Sequence, residues 1–154
     1  MCIESSITTH NTDIAKDSCK ILGSILYNII NKNTSKENLM EQLRKDIKID
    51  DIHETLHDIY NGKFIDKKRE EIFSTGYAVH SLEAALYSFF KFDNFTDSIL
   101  FSGNLGNDTD TIACITGKIC GCYYGINAIP KKWITKLVKL ELLIEIILNL
   151  IKIE

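Results

Sequence analysis

Pro130 is the only proline among 154 residues, and no stretch alternates apolar and polar residues long enough to read as a strand. A chain with so little to interrupt a helix, and no period-two pattern, is expected to be all-α. Cys-x-x-Cys pairs are also missing. Cys2, Cys19, Cys114, Cys120 and Cys122 are odd in number and lie mostly in apolar stretches. Cys120 and Cys122 would point to different faces of a helix, which argues against a zinc site. Buried free thiols in a reducing, cytoplasmic compartment are the expectation. No strong charge of one sign exists either: the net charge of −3 gives no field to draw in nucleic acid or an anionic membrane. No basic-then-apolar leader opens the chain, where Glu4 stands, so no signal peptide is expected. The long apolar run, Leu137 to Ile153, is interrupted by Lys139, Glu141, Glu145 and Lys152. It falls short of the roughly 20 apolar residues of a membrane span. A core or partner-facing helix is expected there, and its surplus of apolar positions predicts self-association.

What the chain does have is helical spacing. Ile14, Ile21, Leu22, Ile25, Leu26, Ile29 and Ile30 form one stripe, opened by a cap at Asn11 or Thr12. Thr34-x-x-Glu37 reads as a capping box before Leu39 and Leu43. Ile52, Leu56, Ile59 and Tyr60 predict a short third helix stopped by Gly62. Val79, Leu82, Leu86, Phe89 and Phe90 predict a fourth, and Asn94 caps a fifth. A sixth runs from near Asp108 or Asp110 to about Tyr124, ending at Gly125. Pro130 suits the first position of a seventh, which carries Trp133. A further helix closes the chain. The expected architecture is one domain, residues 1–154, of seven or eight helices packed orthogonally. Within the sixth helix, Ala113, Gly117, Gly121 and Gly125 recur every four residues. Each glycine costs about 1 kcal/mol of helix propensity, and close approach of a neighbouring helix is the expected compensation.

The most informative run is Asn104-Leu105-Gly106-Asn107-Asp108-Thr109-Asp110-Thr111-Ile112-Ala113. Either aspartate could cap the helix that follows, where the helix dipole favours anions by about 0.3–1 kcal/mol. One cap needs only one side chain, however. Two carboxylates two residues apart repel each other unless a cation lies between them. The alternatives at this point are an overcrowded cap or part of a site for a hard, oxygen-loving ion such as Mg²⁺, Mn²⁺ or Ca²⁺.

That run, followed by Gly117, Gly121, Tyr124-Gly125, Ile129-Pro130 and Trp133, resembles the C-terminal signature of the ADP-ribosylglycohydrolase family, which includes the dinitrogenase reductase-activating glycohydrolases. Gly76-Tyr77-Ala78-Val79-His80-Ser81-Leu82-Glu83-Ala84-Ala85-Leu86 resembles the family's Gly-Tyr…Leu-Glu-Ala-Ala-Leu helix. Ile7-Thr8-Thr9-His10 resembles its Thr-His segment. The family's second loop glycine is Asn107 here, a departure a turn tolerates.

The resemblance implies an all-α fold around a two-metal centre of Mg²⁺ or Mn²⁺. It implies hydrolysis of the glycosidic bond joining ADP-ribose to a modified protein side chain, or of a related ADP-ribose conjugate. Asp108, Asp110 and Thr111 would be metal ligands, with Asp108 and Asp110 also catalytic. His10 and Tyr77 would lie near the ADP-ribose, and Asn104, Gly106 and Asn107 would shape the loop. The family's N-terminal half supplies opposing ligands from a Thr-Asp-Asp motif. In this chain the one adjacent pair, Asp50-Asp51, follows Ile49. The expectation is therefore a chain corresponding to the family's C-terminal portion, completed by a second copy or by a separately encoded N-terminal half. Two other readings remain: an inactive form that binds ADP-ribose or a divalent metal, and a structural helical interaction domain. His53 and His57 sit at i and i+4, but their surroundings read as a solvated surface. Ser81 and Ser102 have no nucleophile-elbow motif. His80 is expected to be a satisfied surface or core histidine, and Tyr124 and Trp133 to serve packing.

Overall fold

The computed structural model describes residues 2–151. Among these the chain forms nine α-helices linked by turns and six short 3₁₀ segments, with no strand. This is the all-α class expected, with one more helix than the spacing predicts. None of the described helices is long and apolar enough to cross a membrane.

The central element is α2 (Asp13–Lys32). The hydroxyl of Thr12 opens it by accepting the Ala15 N–H at 3.3 Å. Asn33 ends it in the left-handed region, at φ 48°. Its fully buried stripe includes Ile21 and Ile25. Before it, α1 (Cys2–Ile7) lies along α2, with the Cys2 sulfur in the space that a side chain on Gly23 would need.

After α2 the chain turns through a polar region whose helices are short. Here the expected capping box at Thr34 and Glu37 does not form. Ser35 precedes a 3₁₀ turn at Lys36–Asn38 without a side-chain cap, and α3 (Leu39–Asp46) starts after it. The third predicted helix reduces to 3₁₀ turns and α4 (His57–Tyr60), with Gly62 at φ 76°. Long-range bonds set these bends. Tyr60 donates to the Ile47 carbonyl at 2.7 Å, and Asp17 accepts the His53 N–H at 2.9 Å. Lys67 pairs with buried Glu83 at 2.5 Å. Lys36 is buried and donates to the Phe92 carbonyl at 2.5 Å and the Tyr124 hydroxyl at 3.3 Å. Its ammonium also lies 5.0 Å from the Phe89 ring centre.

The second half is more regular. α5 (Ala78–Lys91) contributes fully buried Leu86 and Phe89. α6 (Phe95–Gly103) is capped by Asn94, whose side-chain oxygen accepts the Asp97 N–H at 2.8 Å. α7 (Thr109–Tyr124) packs against α2, α5 and α6, buries Ile112, Ile119 and Cys120, and stops at Gly125 with φ 76°. The small-residue stripe of α7 is only partly used. A Cβ on Gly117 would meet Ile99 at 3.7 Å, whereas one on Gly121 would meet nothing within 4 Å. The cysteines also differ from expectation. Cys120 is buried, which pushes its thiol up to about 11, whereas Cys2, Cys114 and Cys122 are exposed and Cys19 is half-buried.

Pro130 sits one residue earlier than expected, at the cap of α8 (Lys131–Ile134). Trp133 of α8 packs on Phe95, ring centres 6.3 Å apart. Lys139, in the left-handed region at φ 59°, redirects the chain into α9 (Leu140–Ile151). α9 is not a core helix: residues 141–150 are all exposed. Lys152 and Ile153 of the apolar run lie outside the described residues.

Candidate functional site

The loop between α6 and α7 is built to present the first turn of α7. Leu105 is buried and anchors it, its carbonyl accepting from Arg69 at 3.0 Å and from the Ser74 hydroxyl at 3.4 Å. Gly106 at φ 90° and Asn107 at φ 55° then reverse the chain. Asparagine tolerates the left-handed region, so the departure from glycine at 107 carries little strain. The Asn107 amide also donates to the Ser74 hydroxyl at 3.3 Å. The Asp108 N–H donates to the Ser74 carbonyl at 2.9 Å, which pins the aspartate beside the segment entering α5. Asn104 donates from its side chain back to the Leu100 carbonyl at 2.6 Å and closes α6.

Asp108 occupies the N-cap position of α7 but makes no side-chain cap bond. Its Oδ1 instead accepts the Thr111 hydroxyl at 3.0 Å. Its Oδ2 lies beside Gly76, 3.5 Å from where a Cβ there would be. Asp110 and Thr111 are exposed in the next turn. The two carboxylates and one hydroxyl are hard oxygen donors on a single helix mouth. That donor set fits Mg²⁺ or Mn²⁺ chemically, but it approaches an ion from one side only. Among the described residues no three His, Cys, Asp or Glu side chains lie close enough together to hold an ion.

Beside this mouth runs a cleft of about 540 Å³, lined by His10, Thr12, Gly76, Tyr77 and Thr111 at its polar parts and by Ile14, Leu22, Leu82 and Ile115 at its apolar wall. His10 is held by its own backbone: its N–H donates to the Ser6 carbonyl at 2.7 Å, and its carbonyl accepts the Ser6 hydroxyl at 3.0 Å. Tyr77 is 43% exposed and meets the His80 ring edge-on, with centres 5.2 Å apart. His80 in turn stacks on Phe73 and bonds the Thr75 hydroxyl at 2.8 Å. The structure therefore gathers His10, Tyr77 and Thr111 on one cleft. Asp108 stands behind Gly76, while Asn104, Gly106 and Asn107 form the loop and do not line the cleft.

Ser74 and Arg69, which fix the loop, are not singled out by the sequence. Ser74 stands three residues before Tyr77, so the Gly76-Tyr77 pair is the nearest signal for it; Arg69 offers none. The two histidines His53 and His57 are engaged locally, His53 with Thr55 and His57 with the Ile52 carbonyl at 3.1 Å.

The family model for ADP-ribosylglycohydrolases matches residues 1–153. An ADP-ribosylarginine hydrolase of Serratia proteamaculans is 39% identical over 136 residues, covering 88% of this chain and 36% of the relative. The ADP-ribosyl-dinitrogen reductase glycohydrolase of Rhodospirillum rubrum is 27% identical over 129 residues, covering 84% of this chain and 40% of the relative. A solved ADP-ribosylglycohydrolase-related protein complex superimposes with a TM-score of 0.79 at 30% identity, over 90% of this chain and 47% of that one. The chain thus spans 36% and 40% of the lengths of these two curated relatives.

Proposed function

Because this chain belongs to the ADP-ribosylglycohydrolase family, we propose that it forms one side of a site that hydrolyses the glycosidic bond between ADP-ribose and a modified protein side chain or related conjugate. The observation that carries this reading is the convergence of His10, Tyr77 and Thr111 on one cleft, next to Asp108. In this reading Asp108, Asp110 and Thr111 hold Mg²⁺ or Mn²⁺. A divalent ion, when bound, acidifies a water and orients ribose hydroxyls.

The chain's own groups then have distinct tasks. Cleavage at the anomeric carbon builds oxocarbenium-like positive charge on the ribose, which a nearby carboxylate stabilises. Asp108 or Asp110 accepts the proton of the attacking water. Tyr77 and His10 orient the ADP-ribose at the cleft rim. The loop residues Asn104, Gly106 and Asn107 shape the approach, and the apolar wall of Ile14, Leu22, Leu82 and Ile115 keeps bulk water away. In this reading the opposing ligands lie outside these 154 residues, on a Thr-Asp-Asp-bearing half or on a second copy.

Calorimetric titration with Mg²⁺ or Mn²⁺ tests the first requirement: the chain gives binding heat and Asp108→Asn does not. No heat from the unaltered chain would sink the reading. Release of ADP-ribose from an ADP-ribosylated protein, measured with the chain alone and with the complementing half added, tests the second. A second reading, a binder of ADP-ribose without turnover, is favoured by the absence of a three-ligand cluster among the described residues. It predicts ADP-ribose binding and no release even after the half is added.

A further inference from the structure

We infer that α9 is a self-association helix, and that its occupant is the α9 of a second copy of this chain. Leu140, Leu143, Ile147 and Leu150 recur at steps of three and four residues, the a and d positions of a heptad. Ile144 and Ile146 flank that seam at the e and g positions, while Glu141, Glu145 and Asn149 fall at the outer b, f and c positions, which they share with Leu142 at c and Leu148 at b. Among the described residues no element covers the seam. Leu143 is 43% exposed, Ile147 54% and Leu150 64%. Lys139, in the left-handed region at φ 59°, stands immediately before the helix.

Surface area supports a partner of this size. The chain exposes 9639 Å² for a mass of 17.5 kDa. A compact monomer of that mass exposes about 7,900 Å², so roughly 1,700 Å² is in excess. A standard interface needs about 800 Å² per partner. An a/d seam is complementary to its own copy, and an isologous pair satisfies both helices at once. A membrane surface fits less well. Helices that lie in the bilayer interface carry Lys and Arg on their polar face, and residues 140–150 contain two glutamates and no basic residue.

Sedimentation equilibrium over a concentration series tests this. The full chain is expected at twice its 17.5 kDa mass or more. The double variant Leu143→Glu/Ile147→Glu is expected at the monomer mass with unchanged helical circular dichroism, since both positions are solvent-facing. Leu150→Glu weakens association in the same direction, and Glu145→Gln, at the outer face, leaves it intact. The inference is overturned if the unaltered chain stays at monomer mass throughout, or if the glutamate variants associate as well as it does. It is equally overturned if the chain is monomeric and co-sediments instead with vesicles of mixed phosphatidylcholine and phosphatidylserine.

Discussion

The Thr111 hydroxyl donates to the Asp108 carboxylate at 3.0 Å across the first turn of α7. That bond holds Oδ1 in place while Oδ2 stays against Gly76, and it occupies a side chain that would otherwise cap the helix. The N-terminal end of α7 is thus ordered by its own threonine, and in the proposed site both aspartates would meet a cation. Thr111→Val removes the hydroxyl donor and, with it, the oxygen proposed as a ligand. It is expected to weaken Mn²⁺ binding by roughly 10- to 100-fold, the range for losing a group that orients a ligand. Thr111→Ser keeps the hydroxyl and is expected to stay close to the original. Calorimetry on both variants checks this, and equal loss in both would remove the hydroxyl from the account.

Gly23 and Cys2 make a second, independent test of the path to His10. In a helix interior, Gly→Ala gains about 1 kcal/mol of propensity. At Gly23 the new methyl would overlap the Cys2 sulfur, and such overpacking costs about 1–3 kcal/mol. The overlap is expected to win, so Gly23→Ala destabilises the chain. In the Cys2→Gly background the overlap is gone, and the same substitution is expected to stabilise by about 1 kcal/mol. Because α1 carries Ser6, which bonds His10, displacing α1 also moves the cleft wall. Urea denaturation of the four chains reads the cycle; the same sign in both backgrounds would refute it.

The parts legible in the sequence are those whose causes are local. Thr12 and Asn94 announce their helices because a capping side chain acts within three residues, and Gly125 announces the end of α7 because few other residues adopt its backbone. The run from Asn104 to Ala113 is legible for the same reason: loop and helix mouth are adjacent in the chain. The capping box and third helix expected between Asn31 and Phe73 fare worse because distant partners shape that segment, such as the Phe92 carbonyl for Lys36 and the Glu83 carboxylate for Lys67. Hydrophobicity misled where it was equated with burial. Cys114 and Cys122 lie in an apolar run but on the exposed side of α7, and α9 is apolar without a neighbour to bury it. The meeting of His10 with Tyr77 and Thr111 joins the turn before α2, the N-cap of α5 and the first turn of α7, and only family resemblance anticipates it.

Lys36 separates two kinds of charge interaction. Its ion pair with Asp93 spans 3.1 Å, but the Asp93 side chain is 98% exposed. Such a pair contributes at most about 1 kcal/mol. The bonds to the Phe92 carbonyl and the Tyr124 hydroxyl are sheltered, and a charged hydrogen bond there contributes about 1.5–3 kcal/mol. The contact with the Phe89 ring adds about 0.5–2 kcal/mol. Lys36→Met is therefore expected to cost about 2–4 kcal/mol of stability, and Asp93→Asn less than about 0.5 kcal/mol. Chemical denaturation decides: a costly Asp93→Asn would show that the exposed pair matters after all.

Asp46 links α2 to α3, and its charge carries that link. Burial raises its pKa, but this is outweighed by hydrogen bonds from Asn28 at 2.7 Å, Lys32 at 3.0 Å and Gln42 at 3.1 Å, so the carboxyl lies below its usual range. A group with a depressed folded pKa stabilises fully above its unfolded value. That contribution is lost as the pH falls through the folded value. The loss is therefore expected below about pH 4, the unfolded aspartate value. Asp46→Asn keeps an acceptor for the buried Asn28 amide but not the charge. It is expected to be less stable at neutral pH by at most about 1 kcal/mol, because Asp46 is an exposed residue whose charged partners are screened by solvent. Its stability should then converge on that of the original chain in acid, because there both carry a neutral side chain at position 46. Urea midpoints measured from pH 7 down to pH 3 read the convergence, and two parallel curves would exclude Asp46 as the titrating group.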